Sequence, residues 1–311
     1  LNHLGSTVRR ALLLLVGLSA AVAACSDPGS SPTAPGEEPA EGLPPLLSEI
    51  DASGSVLFRP AFELWSNGLE KERRILLPPG SRVDISDREA WGFPDGTLVL
   101  KRFAMRGPDG SLRNVETRVF RLQDGEWLMG SYIWNEAQSD AELVEDGRPV
   151  AVTVTNEEGR TFDHTVPGRT GCQACHASSP GFLLGFREVQ LNRGSQLAEL
   201  EGRGFFSDPL PAEPARVEAD DPETLWVKGY VEANCVSCHN GVAEFDLSHD
   251  VFLEATVGVR AMPGPVRIVP GDPGRSHLFR LFESRQMPPV GVQLRHDEAV
   301  ERMRAWIAGL E

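Results

Sequence analysis

The chain has 311 residues, 41% hydrophobic and 24% charged, a balance that suits a folded protein with room for two domains and excludes a fibrous or largely disordered one. A formal charge of -15 repels nucleic acid and attracts basic proteins over a range set by ionic strength. Of the five cysteines, four sit in two copies of one short pattern and the other closes an apolar N-terminal run, so none remains for a disulfide framework.

Residues 1–24 read as a bacterial export signal: Arg9 and Arg10 form the basic end, and residues 11–22 are a short apolar run, too short to span a bilayer comfortably. The run ends in Val22-Ala23-Ala24-Cys25, which resembles the lipobox of bacterial lipoproteins, where the cysteine is lipidated and becomes the new N-terminus. Lipidation of Cys25 implies a membrane-anchored protein facing the periplasm, and Ser26 in place of an aspartate favours the outer membrane. Cleavage at the Ala-Ala pair, with Cys25 incidental, is the alternative, and either outcome exports the remainder. Residues 25–45, rich in Pro, Gly, Ser, Ala and Glu, have almost nothing to bury and read as a flexible linker.

From 46 to 166 short β-branched and aromatic runs alternate with turn dipeptides. Strands are expected at 97–103, 115–122 and 127–134, separated by Gly107-Pro108-Asp109-Gly110 and Asp124-Gly125. A further hairpin is expected at 150–155 and 161–166, around Asn156-Glu157-Glu158-Gly159. The expectation is an antiparallel sheet or small sandwich, with Trp65, Trp91, Trp127 and Trp134 as packing residues.

Cys172-Gln173-Ala174-Cys175-His176 and Cys235-Val236-Ser237-Cys238-His239 each match C-x-x-C-H. Two thiols separated by two residues on a tight helical turn can form thioethers with both vinyl groups of one haem, and the adjacent histidine is placed to ligate its iron. A thioredoxin-like redox pair or a zinc site uses the same cysteines. The redox pair belongs in a βαβ context, however, and zinc would require the two motifs to converge on one ion. Two covalent haem c groups are therefore expected, in a first haem-binding segment at 167–220 and a second region at 221–311.

The second motif is introduced by Asp221-Pro222, a good helix start, and by a helical run to Asn234. Gly229 and Tyr230 on that run resemble the glycine-plus-aromatic pair by which class I cytochromes c cross their first and last helices. Val300, Met303, Ile307 and Leu310 share a face of a final helix, with Trp306 as the aromatic partner. Between these helices, Gln286-Met287-Pro288-Pro289-Val290-Gly291 resembles the axial-methionine loop of the same class, which makes Met287 the expected iron ligand opposite His239. The first haem has no such partner, since no Met or His lies between His176 and His239. Met105, Met129, His164, His249, Met262 and His277 are the candidates for its sixth position, which could also be open.

From Pro60 onward the chain resembles a family of bacterial dihaem c-type cytochromes, on the stretches Phe62-Glu63-Leu64-Trp65-Ser66-Asn67-Gly68, Trp91-Gly92-Phe93-Pro94-Asp95-Gly96-Thr97, Tyr132-Ile133-Trp134-Asn135-Glu136, 172–192 and 230–306. The resemblance implies haem c at both motifs and electron transfer, and it places Leu184-Gly185-Phe186 and Gln190-Leu191-Asn192-Arg193 as structural support near the first haem. The expected fold is α+β: an N-terminal antiparallel β-rich domain followed by a mainly helical, cytochrome c-like dihaem region. The expected function is single-electron transfer between redox partners outside the cytoplasm, some of them basic, with a haem enzyme whose first haem is catalytic as the alternative.

Overall fold

The computed structural model describes residues 42–311 apart from 89, 145–148, 178, 180 and 243. The export signal, most of the linker and Cys25 lie outside the described residues. The strands are β1 (Val56–Phe58), β2 (Glu70–Leu76), β3 (Leu98–Arg106), β4 (Leu112–Gln123), β5 (Glu126–Trp134), β6 (Ala141–Leu143), β7 (Val150–Thr155) and β8 (Thr161–Val166). The helices are α1 (Arg169–His176), α2 (Glu188–Leu191), α3 (Gln196–Gly202), α4 (Pro222–Asn234), α5 (Phe252–Thr256), α6 (His277–Glu283) and α7 (Asp297–Ala308). The fold is mixed α+β.

Strands β1 to β6 form one antiparallel sheet in sequence order, and β7 and β8 form a separate hairpin rather than completing a second sheet of a sandwich. The meander follows from its turns. Asp124 and Gly125 both have positive φ, 52° and 77°, the backbone that a two-residue hairpin turn demands. At the next tight corner, the Gly110 N–H donates to the Gly107 carbonyl.

The period of two along each strand sorts residues between the faces. Leu98, Val119 and Tyr132 join Leu43 and Ile50 in one cluster. Ile75, Val99, Phe120 and Met129 join Cys172, Phe186, Leu191, Leu200 and Phe206 in another, so segment 167–220 shares a core with the sheet. The β7–β8 hairpin packs through Val154, Val152 and Phe162 on Leu69, Phe103, Met105 and Val115.

The C-terminal helices have their own core, built on Val227, Val231, Phe252, Phe279, Val300, Met303 and Ile307. Helix α4 starts as expected, with the Asp221 carboxylate accepting from the Glu223 and Thr224 N–H groups and Pro222 in the first turn. Helices α4 and α7 pack together, and Trp306 Nε1 donates to Thr224 Oγ1 at 2.9 Å. The expected glycine-to-Trp306 crossing is not what fills the space at Gly229. A Cβ there would overlap the ring of Phe62, and Trp306 instead stacks on Phe252 at 6.0 Å. Among the described residues no helix is long and apolar enough to cross a membrane.

Candidate functional site

The first motif occupies α1 and lies against the inner face of the sheet. Cys172 is buried in the sheet's core cluster, while Cys175 and His176 are half-buried. The His176 ring packs edge-on against Phe120 at 4.5 Å, and its Nδ1 is 2.7 Å from the Phe182 carbonyl. That carbonyl accepts the Nδ1 proton and leaves Nε2 as the lone-pair nitrogen, the arrangement in which a histidine ligates a metal.

Phe182 reaches this position with φ of 63°, a left-handed backbone that costs a non-glycine residue about 1–2 kcal/mol. The strain is held by its ring, which stacks on Trp127 at 5.2 Å. Burial pushes His176 down to about 3, so the imidazole is neutral at ordinary pH.

In the second motif Cys235 caps α4, and the N–H groups of Cys238 and His239 both donate to the Cys235 carbonyl, at 3.1 and 2.9 Å. The five residues thus form one tight turn. The His239 ring lies 4.8 Å from Phe245, and burial lowers its pKa against the opposing pull of Glu244 and the Phe245 backbone. None of the four cysteines is in a disulfide. Burial raises the thiols of Cys172 and Cys175 above the ordinary range and pushes Cys235 up to about 12, the opposite of the activation a redox dithiol needs. Cys238 adds to the effect on Cys175, so the two motifs stand within electrostatic reach of each other. Among the described residues no three His, Cys, Asp or Glu side chains converge as a zinc site would require.

Met287 is 40% exposed. It lines a small cleft with Tyr230, Trp65, His296 and Asn234, the last residue of α4; no residue of the second motif lines that cleft among the described residues. Its backbone N–H donates to Leu281 at 3.1 Å.

The stretch 62–68 ties these parts together. Trp65 donates from Nε1 to the Leu294 carbonyl at 2.8 Å, stacks on His296 at 3.8 Å, and donates from its backbone N–H to Asn234 Oδ1 at 2.7 Å. Asn67 Oδ1 accepts from the N–H groups of Gln293 and Leu294 at 2.8 and 2.9 Å. Those backbone donors fix the orientation of the amide, so Asn67 Nδ2 must donate, and it does so to His164 Nδ1 at 3.3 Å and to Gln293 Oε1. His164 then donates from Nε2 to Glu116 Oε1 at 3.0 Å, and Glu116 pairs with Arg118. A buried polar chain therefore runs from the sheet face beneath the first motif to the segment that follows Met287. Burial pushes the Glu116 carboxyl up, but Arg118 and the His164 hydrogen bond outweigh it and hold it below the usual carboxylate range.

The chain also sorts the candidates for the first motif's missing ligand. His164 has both ring nitrogens engaged, Met105 is enclosed by the β7–β8 hairpin cluster, and Met262 is 87% exposed. His249 pairs with Glu232 at 3.4 Å, and His277 opens α6. Only Met129, 2% exposed and directly across from Phe120, shares a core cluster with Cys172.

A cavity of about 60 Å³ is lined by Leu183, Leu184, Gly185 and Gln190 from the segment after the first motif and by Glu232, Val236 and Ser237 from the end of α4 and the second motif. An Arg187–Glu232 ion pair bridges the two segments. Leu184, Gly185 and Gln190 thus fall beside that cavity, and Phe186 forms part of the core behind the first motif. Compared with known proteins, the chain matches no family model, no curated protein and no solved structure.

Proposed function

We propose that the chain is an exported dihaem c-type cytochrome that moves single electrons between redox partners outside the cytoplasm. It would carry haem c on Cys172 and Cys175 and on Cys235 and Cys238. His176, His239 and Met287 are the iron ligands in this reading, Cys25 is its lipid anchor, and the periplasm, at the outer membrane, its location. The observation that carries the proposal is the duplicated C-x-x-C-H, each copy on a helical turn, with the His176 Nδ1 held by the Phe182 carbonyl.

The residues fit the group. Each motif offers two thiols one turn apart and an imidazole, and Met287 offers a soft thioether from a proline-stiffened loop. Haem c supplies reversible one-electron exchange when bound. The chain's own residues hold and shield it: Phe120, Phe182 and Trp127 surround the His176 ring, and Trp65 and Asn67 set the segment after Met287. Acidic charge favours basic redox partners through encounter rate rather than final affinity.

The alternative is a haem enzyme, favoured by the absence of any Met or His between His176 and His239. Oxidised and reduced spectra of the purified protein, with and without cyanide, decide between them. A carrier shows two low-spin haems indifferent to cyanide; a high-spin, cyanide-responsive haem overturns the carrier in favour of the enzyme.

A further inference from the structure

Arg73, Lys101 and Arg118 form one cross-strand row on the inner face of the sheet, Arg73 directly opposite Lys101 and Lys101 directly opposite Arg118. Like charges in that relation oppose folding, and burial raises the cost. Two of the three are compensated: Arg73 pairs with Glu63 at 2.9 Å, and Arg118 with Glu116 at 2.6 Å. Among the described residues the Lys101 ammonium has no direct hydrogen-bond or ion-pair partner, and Glu116 acts on it only through space. Its ammonium lies 4.9 Å from the centre of the Phe103 ring, which the Arg118 guanidinium also covers at 4.6 Å, so even that weak contact is shared.

Lys101 lines the cavity of about 60 Å³ beside the second motif. Arg73, Arg187 and the polar side chains of Gln190 and Ser237 line the same space. Its one carboxylate, Glu232, is already held by Arg187 and His249. The cavity wall therefore presents an ammonium with no direct acceptor, which Glu116 reaches only through space, with Arg73 beside it.

We propose that Lys101, flanked by Arg73 and Arg118, anchors an anion-binding site for a carboxylate group. A carboxylate seated there neutralises the middle of the row and gives the ammonium the acceptor it lacks. Burial, and after it repulsion from Arg73, Arg118 and Lys71, depresses Lys101 well below the ordinary lysine range, and a bound anion opposes that tendency. Two sources supply the same chemistry: a carboxylate of an attached haem, which rests on the function proposed above, or a free small carboxylate, which does not.

The test uses the full chain from a host competent in cytochrome maturation, with haem content counted separately by intact mass. Thermal midpoints are measured in sodium formate and in sodium chloride at equal ionic strength, and reduction potentials by titration, for wild type, Lys101→Met and Lys101→Arg. A free-carboxylate site gives wild type and Lys101→Arg a higher midpoint in formate than in chloride, and Lys101→Met none. A haem-carboxylate site makes all three indifferent to formate, while Lys101→Met lowers one reduction potential and Lys101→Arg restores it. If Lys101→Met changes neither response, or is simply more stable than wild type in both salts, the ammonium is an unsatisfied structural charge and the proposal is wrong. Lys101→Gln replaces Lys101→Met should the latter fail to fold. Protein without porphyrin would refute the cytochrome reading and the haem source, leaving the formate comparison to decide the site.

Discussion

Replacing Asn67 by alanine removes the hinge between the sheet and the segment after Met287. The Gln293 and Leu294 N–H groups, at 2.8 and 2.9 Å from Asn67 Oδ1, lose their acceptor, at about 1–1.5 kcal/mol each. The donations to His164 and Gln293 add about 1 kcal/mol between them, for a total of about 3–4 kcal/mol. Asn67 also holds φ of 55°, where alanine is strained and glycine is not, so Asn67→Gly should recover about 1 kcal/mol relative to Asn67→Ala. Equilibrium urea denaturation, followed by tryptophan fluorescence, measures both. A loss within about 0.5 kcal/mol of zero for Asn67→Ala, or a glycine variant no better than alanine, would refute the reasoning.

Three further expectations can be checked. Glu116 is held below its ordinary 4.5, so its stabilising contribution is complete above that pH and is lost as pH falls through the lower native value; Glu116→Gln should weaken the protein at neutral pH and show a shallower acid limb, and parallel limbs in the two proteins would contradict this. On the cytochrome reading, Met287→Ala abolishes a sulfur-to-iron charge-transfer band and lowers one reduction potential, whereas an unchanged spectrum removes Met287 from the ligands. Cys25→Ser releases the protein from membranes if the cysteine carries lipid, and undiminished membrane association counts against the anchor.

Much of the fold could be read from alternation. Strands β3, β4, β5, β7 and β8 carry enough β-branched and aromatic residues for a period of two to be visible, and the Asp124-Gly125 turn sets the register of β4 on β5. Strand β2 was not legible because its inward positions include Lys71 and Arg73 beside Ile75, charges where a core strand is expected to be apolar. Strands β1 and β6 span three residues each, too few for any period to register.

The two motifs announced themselves by spacing, yet what holds them is long-range. Phe182 reaches His176 through an unusual backbone angle, and Phe62 takes the place over Gly229 that the class I resemblance gave to Trp306. A signal for the buried cations was present: Lys101 shares the phase of Val99 and Phe103, and Arg118 that of Phe120, so both charges sit in register with core positions.

The central claim is that porphyrin is bonded to the cysteine pairs at 172/175 and 235/238, and intact mass spectrometry of the chain from a maturation-competent host tests it most directly. The account requires the polypeptide to carry two added haem masses, falling to one when Cys172 and Cys175, or Cys235 and Cys238, are changed to serine. A polypeptide of unmodified mass from that host would contradict it.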